Sequence, residues 1–235
     1  MVNKLVENTI RISLLIQIVT TIISADGFIS SVSPEHAILK EILYIETIVQ
    51  VIEGIFYSHI ISGLNDIKSM TPRRYFDWLI TTPIMLFSTV LFFKYSELKE
   101  ANSLKEFTSK DFYEGNKENV HKIVAYNAMM LLFGYMGETG YMSKYISIPL
   151  GFVFFFLSFK LIYEEYAVKS KMGITLFKVL LGIWSSYGIT AMLPDVQKNI
   201  GYNILDVFSK NFYGLFIYYK IRELNLTKST LNLFT

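Results

Sequence analysis

The stretch Thr71-Pro72-Arg73-Arg74-Tyr75-Phe76-Asp77-Trp78-Leu79-Ile80-Thr81-Thr82-Pro83-Ile84-Met85-Leu86-Phe87-Ser88-Thr89-Val90-Leu91-Phe92-Phe93 decides the fold class. Thr71 suits an N-cap and Pro72 suits the first helical turn, where its missing N–H costs nothing. From there the chain is apolar for about 20 residues, enough at ~1.5 Å per residue to cross ~30 Å of hydrocarbon. Past Arg73 at its mouth, two charges sit deeper, Arg74 and Asp77, one turn apart and therefore on one face. A long apolar helix with its charges on a single face reads as a membrane span that turns that face inward.

Six more segments follow the same pattern: about Val6–Ser24, Ala37–Ser62, Val120–Gly137, Ser143–Tyr166, Ile174–Leu193 and Asn199–Arg222. The second has an entry signal in Ser33-Pro34 and a stop in Gly63; Pro194 ends the sixth. The composition agrees, with 52% hydrophobic and 18% charged residues, whereas soluble domains carry about a quarter charged. The expected fold is an all-α, seven-helix, multi-pass integral membrane protein, with residues 1–235 forming a single domain and the lipid bilayer as its first partner. A net charge of +2 without a dense basic patch argues against nucleic acid. The absence of cysteine excludes a disulfide framework and a Cys-based metal site, and no metal is expected. The first segment lacks a basic leader and a small-residue cleavage site, so it reads as a retained span. The long connection Lys94–Asn119 is polar but holds Phe107, Phe112 and Tyr113, which suit the membrane surface.

Orientation follows from the basic residues at the span ends. Lys94, Lys99, Lys105, Lys110, Lys117 and Lys122 gather on the side that also receives Lys40, Lys169, Lys171, Lys178, Lys220, Arg222 and Lys228. The other side has Lys4, Lys68, Arg73, Arg74, Lys144 and Lys198. The C-terminus is therefore expected in the cytoplasm and the N-terminus outside.

Charges within spans are costly and default to functional candidates. The seventh segment carries Asp206 and Lys210 one turn apart; the second carries Glu46 and Glu53 with Gln50 between them on one stripe. Each pair alone reads equally well as an interhelical ion pair. Together they suggest chemistry, because a buried lysine amine is a natural Schiff-base former and its cationic product needs an anion such as Asp206 or Asp77.

Arg74-Tyr75-Phe76-Asp77-Trp78-Leu79-Ile80-Thr81-Thr82-Pro83 resembles the third-helix signature of microbial rhodopsins. Asp206-Val207-Phe208-Ser209-Lys210 resembles their seventh-helix Asp-x-x-x-Lys, and Trp184-Ser185-Ser186-Tyr187 their Trp-x-x-Tyr pocket wall. The resemblance covers essentially the whole chain. It implies all-trans retinal bound covalently to Lys210, Asp77 as primary counterion and proton acceptor, Asp206 as second counterion and Arg74 balancing both. It also implies Thr81 hydrogen-bonded to Asp77, and Trp78, Thr82, Met130, Gly134, Trp184 and Tyr187 around the polyene, with Asn127 aiding the helix-four alignment. Such proteins are photoreceptors or ion transporters, not enzymes.

Departures from the family pattern matter as well. The position eleven residues after Asp77, where pumps usually hold a proton-donating carboxylate, is Ser88. Gly188 replaces a helix-six proline, Ala191 a pocket aromatic, and the last extracellular turn keeps only Asp195 of the usual pair of release carboxylates. The run Glu46–Glu53 resembles rhodopsins of large algal viruses, among which are both channel-like and pump-like groups. Ser13, Gln17, Thr20 and Ser24 form one polar stripe on the first segment, facing that of Glu46, Gln50, Glu53 and Tyr57, with Asn203 beside Asp206 on the seventh. Ser13, Glu46, Glu53 and Asn203 match constriction positions of viral channel rhodopsins. The expected function is a light-gated cation channel for monovalent cations or protons. An outward proton pump is the alternative, a photosensor a weaker one, and a homo-oligomer is left open.

Overall fold

The computed structural model describes residues 4–62 and 67–233. It contains α1 (Lys4–Ile29), α2 (Ala37–Ser62), α3 (Met70–Glu100), α4 (Ser109–Glu138), α5 (Lys144–Glu165), α6 (Lys171–Thr190), α7 (Asp195–Asp206) and α8 (Phe212–Leu233). A π-helical turn, Val207–Asn211, joins α7 to α8 without a break, so the three together make the seventh crossing. Each helix packs on the next, and α1 closes the ring against α7 and α8. The result is an all-helical, seven-helix bundle.

The interior of the bundle mixes apolar and polar side chains, while its outer surface carries many exposed apolar ones. On α1 the buried stripe is Val6, Ile10, Ser13, Gln17, Thr20, Ser24 and Gly27, while Ile12, Leu15, Ile18, Val19 and Ile22 are exposed. That inversion is what a lipid environment selects, since exposed apolar side chains there cost nothing and buried polar ones find partners. Among the described residues four stretches are apolar and long enough to cross a membrane by length and composition alone: Lys4–Ile29, Ile67–Glu100, Lys144–Lys169 and Lys171–Thr190. The other three crossings carry more polar residues, among them Glu46, Gln50 and Glu53 on α2 and Asn203, Asp206 and Lys210 on the seventh, all turned inward.

Several helix ends differ from the sequence expectation. The polar link after the third crossing is largely helical: α3 runs on to Glu100 and α4 begins at Ser109. Thr108 caps α4 in a capping box, its hydroxyl accepting from the Asp111 N–H at 3.1 Å while its own N–H donates to Asp111 Oδ2 at 3.0 Å. Asn116, with φ −131° and ψ 16°, kinks the helix beyond it. Ser33 does precede the turn that leads into α2, yet its hydroxyl donates to Glu35 Oε1 at 2.7 Å and caps no backbone group. Thr71 lies inside the first turn of α3, since helix begins at Met70, and its hydroxyl has no hydrogen-bond partner. The bounds of α2 are those read from the sequence; Gly63, taken as its stop, lies outside the described residues, as does the side chain of Lys228.

Candidate functional site

Three crossings aim ionisable groups at one point. Lys210, in the π-helical turn, is 1% exposed, and its Nζ lies 2.7 Å from Asp77 Oδ2 on α3, 3.0 Å from Glu53 Oε1 on α2 and 3.7 Å from Asp206 Oδ1 on α7. The π-helical turn matters here. It widens the helix by one residue and brings Ser209, Lys210 and Asn211 all inside, which regular helical rotation of about 100° per residue resists. Glu53 was expected along an ion path; the structure makes it a direct partner of the amine. Two cations, Lys210 and Arg74, face three carboxyl groups, so charge balances when one of the three holds a proton.

Arg74 is fully buried one turn before Asp77 and ties three helices together. Its Nη1 donates to Asp206 Oδ2 and to the Tyr57 hydroxyl, both at 3.1 Å, and its Nη2 donates to Asn203 Oδ1. Tyr57 in turn donates to Asp206 Oδ2 at 2.7 Å, and Tyr187 to Asp206 Oδ1 at 2.8 Å. Asn203 extends this network to α1, donating to Thr9 Oγ1 and accepting from the Ser13 hydroxyl at its backbone carbonyl, each at 2.9 Å. Burying a guanidinium and three carboxyls is sustainable only with this degree of mutual satisfaction. Thr81 corrects one expectation: its hydroxyl donates to the backbone carbonyl of Asp77 at 2.9 Å, not to the carboxylate.

On the other side of Lys210 a cavity runs between α3, α4, α5 and α6. Trp78, Thr82, Met130, Gly134, Trp184 and Tyr187 all line it, joined by Tyr75, Gly151, Phe152, Phe155 and Gly188. A Cβ on Gly134 would stand 2.7 Å from the Tyr75 hydroxyl, so glycine there lets α3 and α4 approach. Thr82 donates to the Trp78 carbonyl at 2.6 Å and accepts from Asn127 Nδ2 at 2.7 Å, which fixes the wall. The cavity is almost wholly apolar, aromatic-walled and lined by a single amine. That chemistry fits a conjugated apolar aldehyde condensed onto Lys210. Among the described residues no group of His, Cys, Asp and Glu could hold a metal ion.

A file of buried polar side chains leads away from the amine between α1, α2 and α3. Ser13, Gln17, Glu46, Gln50, Glu53 and Asn203 are each at most 4% exposed. Thr21 bridges the first two helices, donating to the Gln17 carbonyl at 2.7 Å and reaching Gln50 Oε1 at 3.3 Å. Both side-chain amide atoms of Gln17, Nε2 of Gln50 and one carboxyl oxygen each of Glu46 and Glu53 have no partner. Buried groups left so are the usual hosts of ordered water. Ser88 donates to Glu46 Oε1, joining the position of the missing donor to the file.

Sequence reading missed Thr9 and Ser209 as supporting groups, and a cluster where α4 ends and α5 and α7 begin. There Lys198, with no exposed side-chain surface, pairs with Glu138 and, at 3.0 Å, with Asp195, while Lys144 reaches Glu138 at 3.0 Å. The spacing Lys198, Tyr202, Asp206, Lys210, one turn each, was the available signal for Lys198.

A family model described as bacteriorhodopsin-like protein matches residues 8–224. A green-light absorbing proteorhodopsin from the gamma-proteobacterium EBAC31A08 is 25% identical over 170 residues, which are 64% of this chain and 61% of that protein. The chain thus spans under two thirds of that relative's length. Among solved structures, viral rhodopsin OLPVRII superposes with a TM-score of 0.79 and 26% identity, covering 94% of this chain and 99% of that one. A blue light-absorbing proteorhodopsin from Med12 gives a TM-score of 0.71 at 18% identity, covering 93% and 97%, a likeness of fold alone.

Proposed function

The chain belongs to the bacteriorhodopsin-like family of microbial rhodopsins, integral multi-pass membrane proteins that are not enzymes, and on that premise we propose that it is a retinal-carrying, light-gated cation channel. Retinal condensed onto the Lys210 amine would supply a visible-light absorber and a light-driven change of shape at that nitrogen. Trp78, Thr82, Met130, Gly134, Trp184 and Tyr187 hold the chromophore's length. Asp77, 2.7 Å from the amine, takes the proton; Asp206 and Glu53 share the role of counterion, and Arg74 anchors Asp206. Thr81 stiffens the helix beside Asp77.

One observation carries the channel reading. Glu53 is one of the buried polar residues of the file and accepts from the Lys210 amine at 3.0 Å, so a change of charge at the amine is felt directly in the path. Loss of the Lys210–Glu53 and Arg74–Asn203 bonds frees Glu53 and Asn203, water enters past Gln17 and Gln50, and monovalent cations follow, favoured by the acidic lining. Ser13 and Glu46 bound the file towards its two ends. The basic residues after the third crossing and at the chain end put the C-terminus in the cytoplasm and the N-terminus outside. A second reading, an outward proton pump, draws on the Ser88–Glu46 hydrogen bond, which offers Glu46 as the reprotonating acid.

Purified protein given retinal is expected to become coloured, and Lys210→Ala to stay colourless. Photocurrent recorded across voltages separates the two readings: a channel's current reverses near the equilibrium potential of the permeant cation, a pump's stays outward. Glu53→Gln is expected to shrink or reshape the current. An unchanged current in that variant would remove Glu53 from the path.

A further inference from the structure

One buried polar residue of the seventh crossing stands outside the network around Arg74 and Lys210. Asn211, next to Lys210 in the π-helical turn, is fully buried, and neither atom of its side-chain amide has a hydrogen-bond partner. Asn203, on the same crossing, uses both of its amide atoms, accepting from Arg74 and donating to Thr9. The level of Asn211 follows from contacts on either side of it. Ser13 donates to the Asn203 carbonyl at 2.9 Å, and a Cβ on Gly27 would stand 3.0 Å from Tyr218 Cδ2. The first and seventh crossings therefore run side by side in the same direction. Asn211, midway between Asn203 and Tyr218, stands level with Thr20 and Thr21, midway between Ser13 and Gly27.

Amides of α1 and α2 reach the same level. Gln50 extends across to the seventh crossing, where a Cβ on Gly214 would overlap its Nε2; Gly214 lies three residues after Asn211 on one helix face. Gln50 Oε1 lies 3.3 Å from the Thr21 hydroxyl. Gln17 Oε1 lies 3.8 Å from where a Cβ would stand on Gly54, one turn from Gln50 on α2. Three crossings thus bring three neutral amides to one stretch of the file, midway between Glu46 and Glu53. Both amide atoms of Gln17 and Nε2 of Gln50 lack partners, as those of Asn211 do.

We propose that Gln17, Gln50 and Asn211 form a binding site in the ion path for a monovalent cation that has shed part of its water, their amide oxygens replacing the lost hydration. The proposal rests on the channel reading. Amides that serve only to join helices are bonded to them, as Asn203 is; amides buried without partners are stabilised by what enters between them. Each amide oxygen offers a cation two lone pairs and a partial negative charge, as the backbone carbonyls of ion filters do. Glu46 and Glu53, at either end, attract the ion, while neutral ligands between them hold it weakly enough to leave. Gly214 belongs to the site too, since a side chain there would take the space of the Gln50 amide.

The test measures photocurrent reversal with potassium on one side of the membrane and sodium on the other. Full chains with retinal are used, and visible absorbance reports assembly. The wild-type potassium-to-sodium permeability ratio is expected to differ from the ratio of the two ions' mobilities in water. Asn211→Ala and Gln50→Ala are each expected to move it towards the mobility ratio by about twofold. Gly214→Ala, which removes no polar atom but displaces the Gln50 amide, is expected to shift the ratio as well. If Asn211→Ala forms no pigment, Gln50→Ala and Gly214→Ala carry the test. Pigmented variants that keep the wild-type ratio overturn the site even where their current falls, since the amides then serve water alone. A wild-type current that reverses at the mobility ratio also overturns the site and leaves the channel reading standing. A wild-type current that never reverses overturns the channel reading, and the site with it.

Discussion

Tyr57→Phe removes one oxygen from the most densely bonded part of the protein. That oxygen donates to Asp206 Oδ2 at 2.7 Å and accepts from Arg74 Nη1 at 3.1 Å, so two bonds to charged groups are lost. Arg74 keeps its direct bonds to Asp206 and Asn203, and its guanidinium carbon, 5.3 Å from the ring centroid, keeps the cation–π contact because the ring remains. The void left is smaller than a methyl group. Bonds to charged groups contribute about 1.5–3 kcal/mol each in soluble proteins, but interhelical bonds in membranes average ~0.6 and reach ~1.7 kcal/mol. The expected net loss is therefore about 1–3 kcal/mol. It is read as the shift in unfolding free energy when the protein in lipid–detergent micelles is titrated with sodium dodecyl sulfate and followed by near-ultraviolet circular dichroism. The partner Asn203→Ala removes another ligand of the same guanidinium, so the double variant should depart from additivity by about 0.5 kcal/mol or more. A loss below about 0.5 kcal/mol, together with strict additivity, would falsify the account of Arg74, Tyr57, Asn203 and Asp206 as one interlocked unit.

Three other perturbations have defined outcomes. In Gly188→Ala the new Cβ would lie 2.7 Å from Phe152 Cε2, driving that ring toward the cavity it lines; an overpacking cost of about 1–3 kcal/mol and a lower yield of pigment at saturating retinal are expected in absorbance titrations. Ser170→Ala removes the hydroxyl that accepts from the Gly173 N–H at 2.9 Å and caps α6, with an expected loss of about 1 kcal/mol in the same denaturant titration. The hydroxyl and backbone N–H of Thr108 hold the Asp111 carboxyl below the usual carboxylate range, so the capping box is complete above that range and is lost as pH falls through the lowered value. Amide exchange at Asp111 should accelerate in acid, relative to a pH-corrected intrinsic rate, in wild type and show no such step in Asp111→Asn.

What the sequence conveyed well was periodicity. The bounds of α2, the single charged face of α3 and the one-turn spacing of Asp206 and Lys210 are local facts, and a chain states local facts directly. What it could not convey was the rotation of one helix against another. Glu53 and Glu46 occupy the same stripe of α2, yet one meets Lys210 and the other Ser88, because they stand two turns apart opposite different neighbours. Nor does composition announce the π-helical turn at Val207–Asn211; it has no proline or glycine to mark it, and only the burial of three consecutive side chains reveals it.

Lys198 is the sharpest instance of that limit. Near a span end, beside Pro194 and Asp195, it reads as a solvated charge and was counted with the outer-side cations. The structure buries it fully, and a buried ammonium left alone would cost several kcal/mol or more. It is tolerated because α4 brings Glu138 from 60 positions away in sequence and Lys144 joins on the same carboxylate, so two cations and two carboxylates balance. Beside Asp195, the one carboxylate of the last turn, the structure thus sets a second, Glu138, from a different helix. The α4–α5 and α6–α7 turns are held to each other by that exchange. Removing Glu138 alone should accordingly disturb this end of the bundle more than removing Glu138 and Lys198 together, because the double change leaves no uncompensated charge behind.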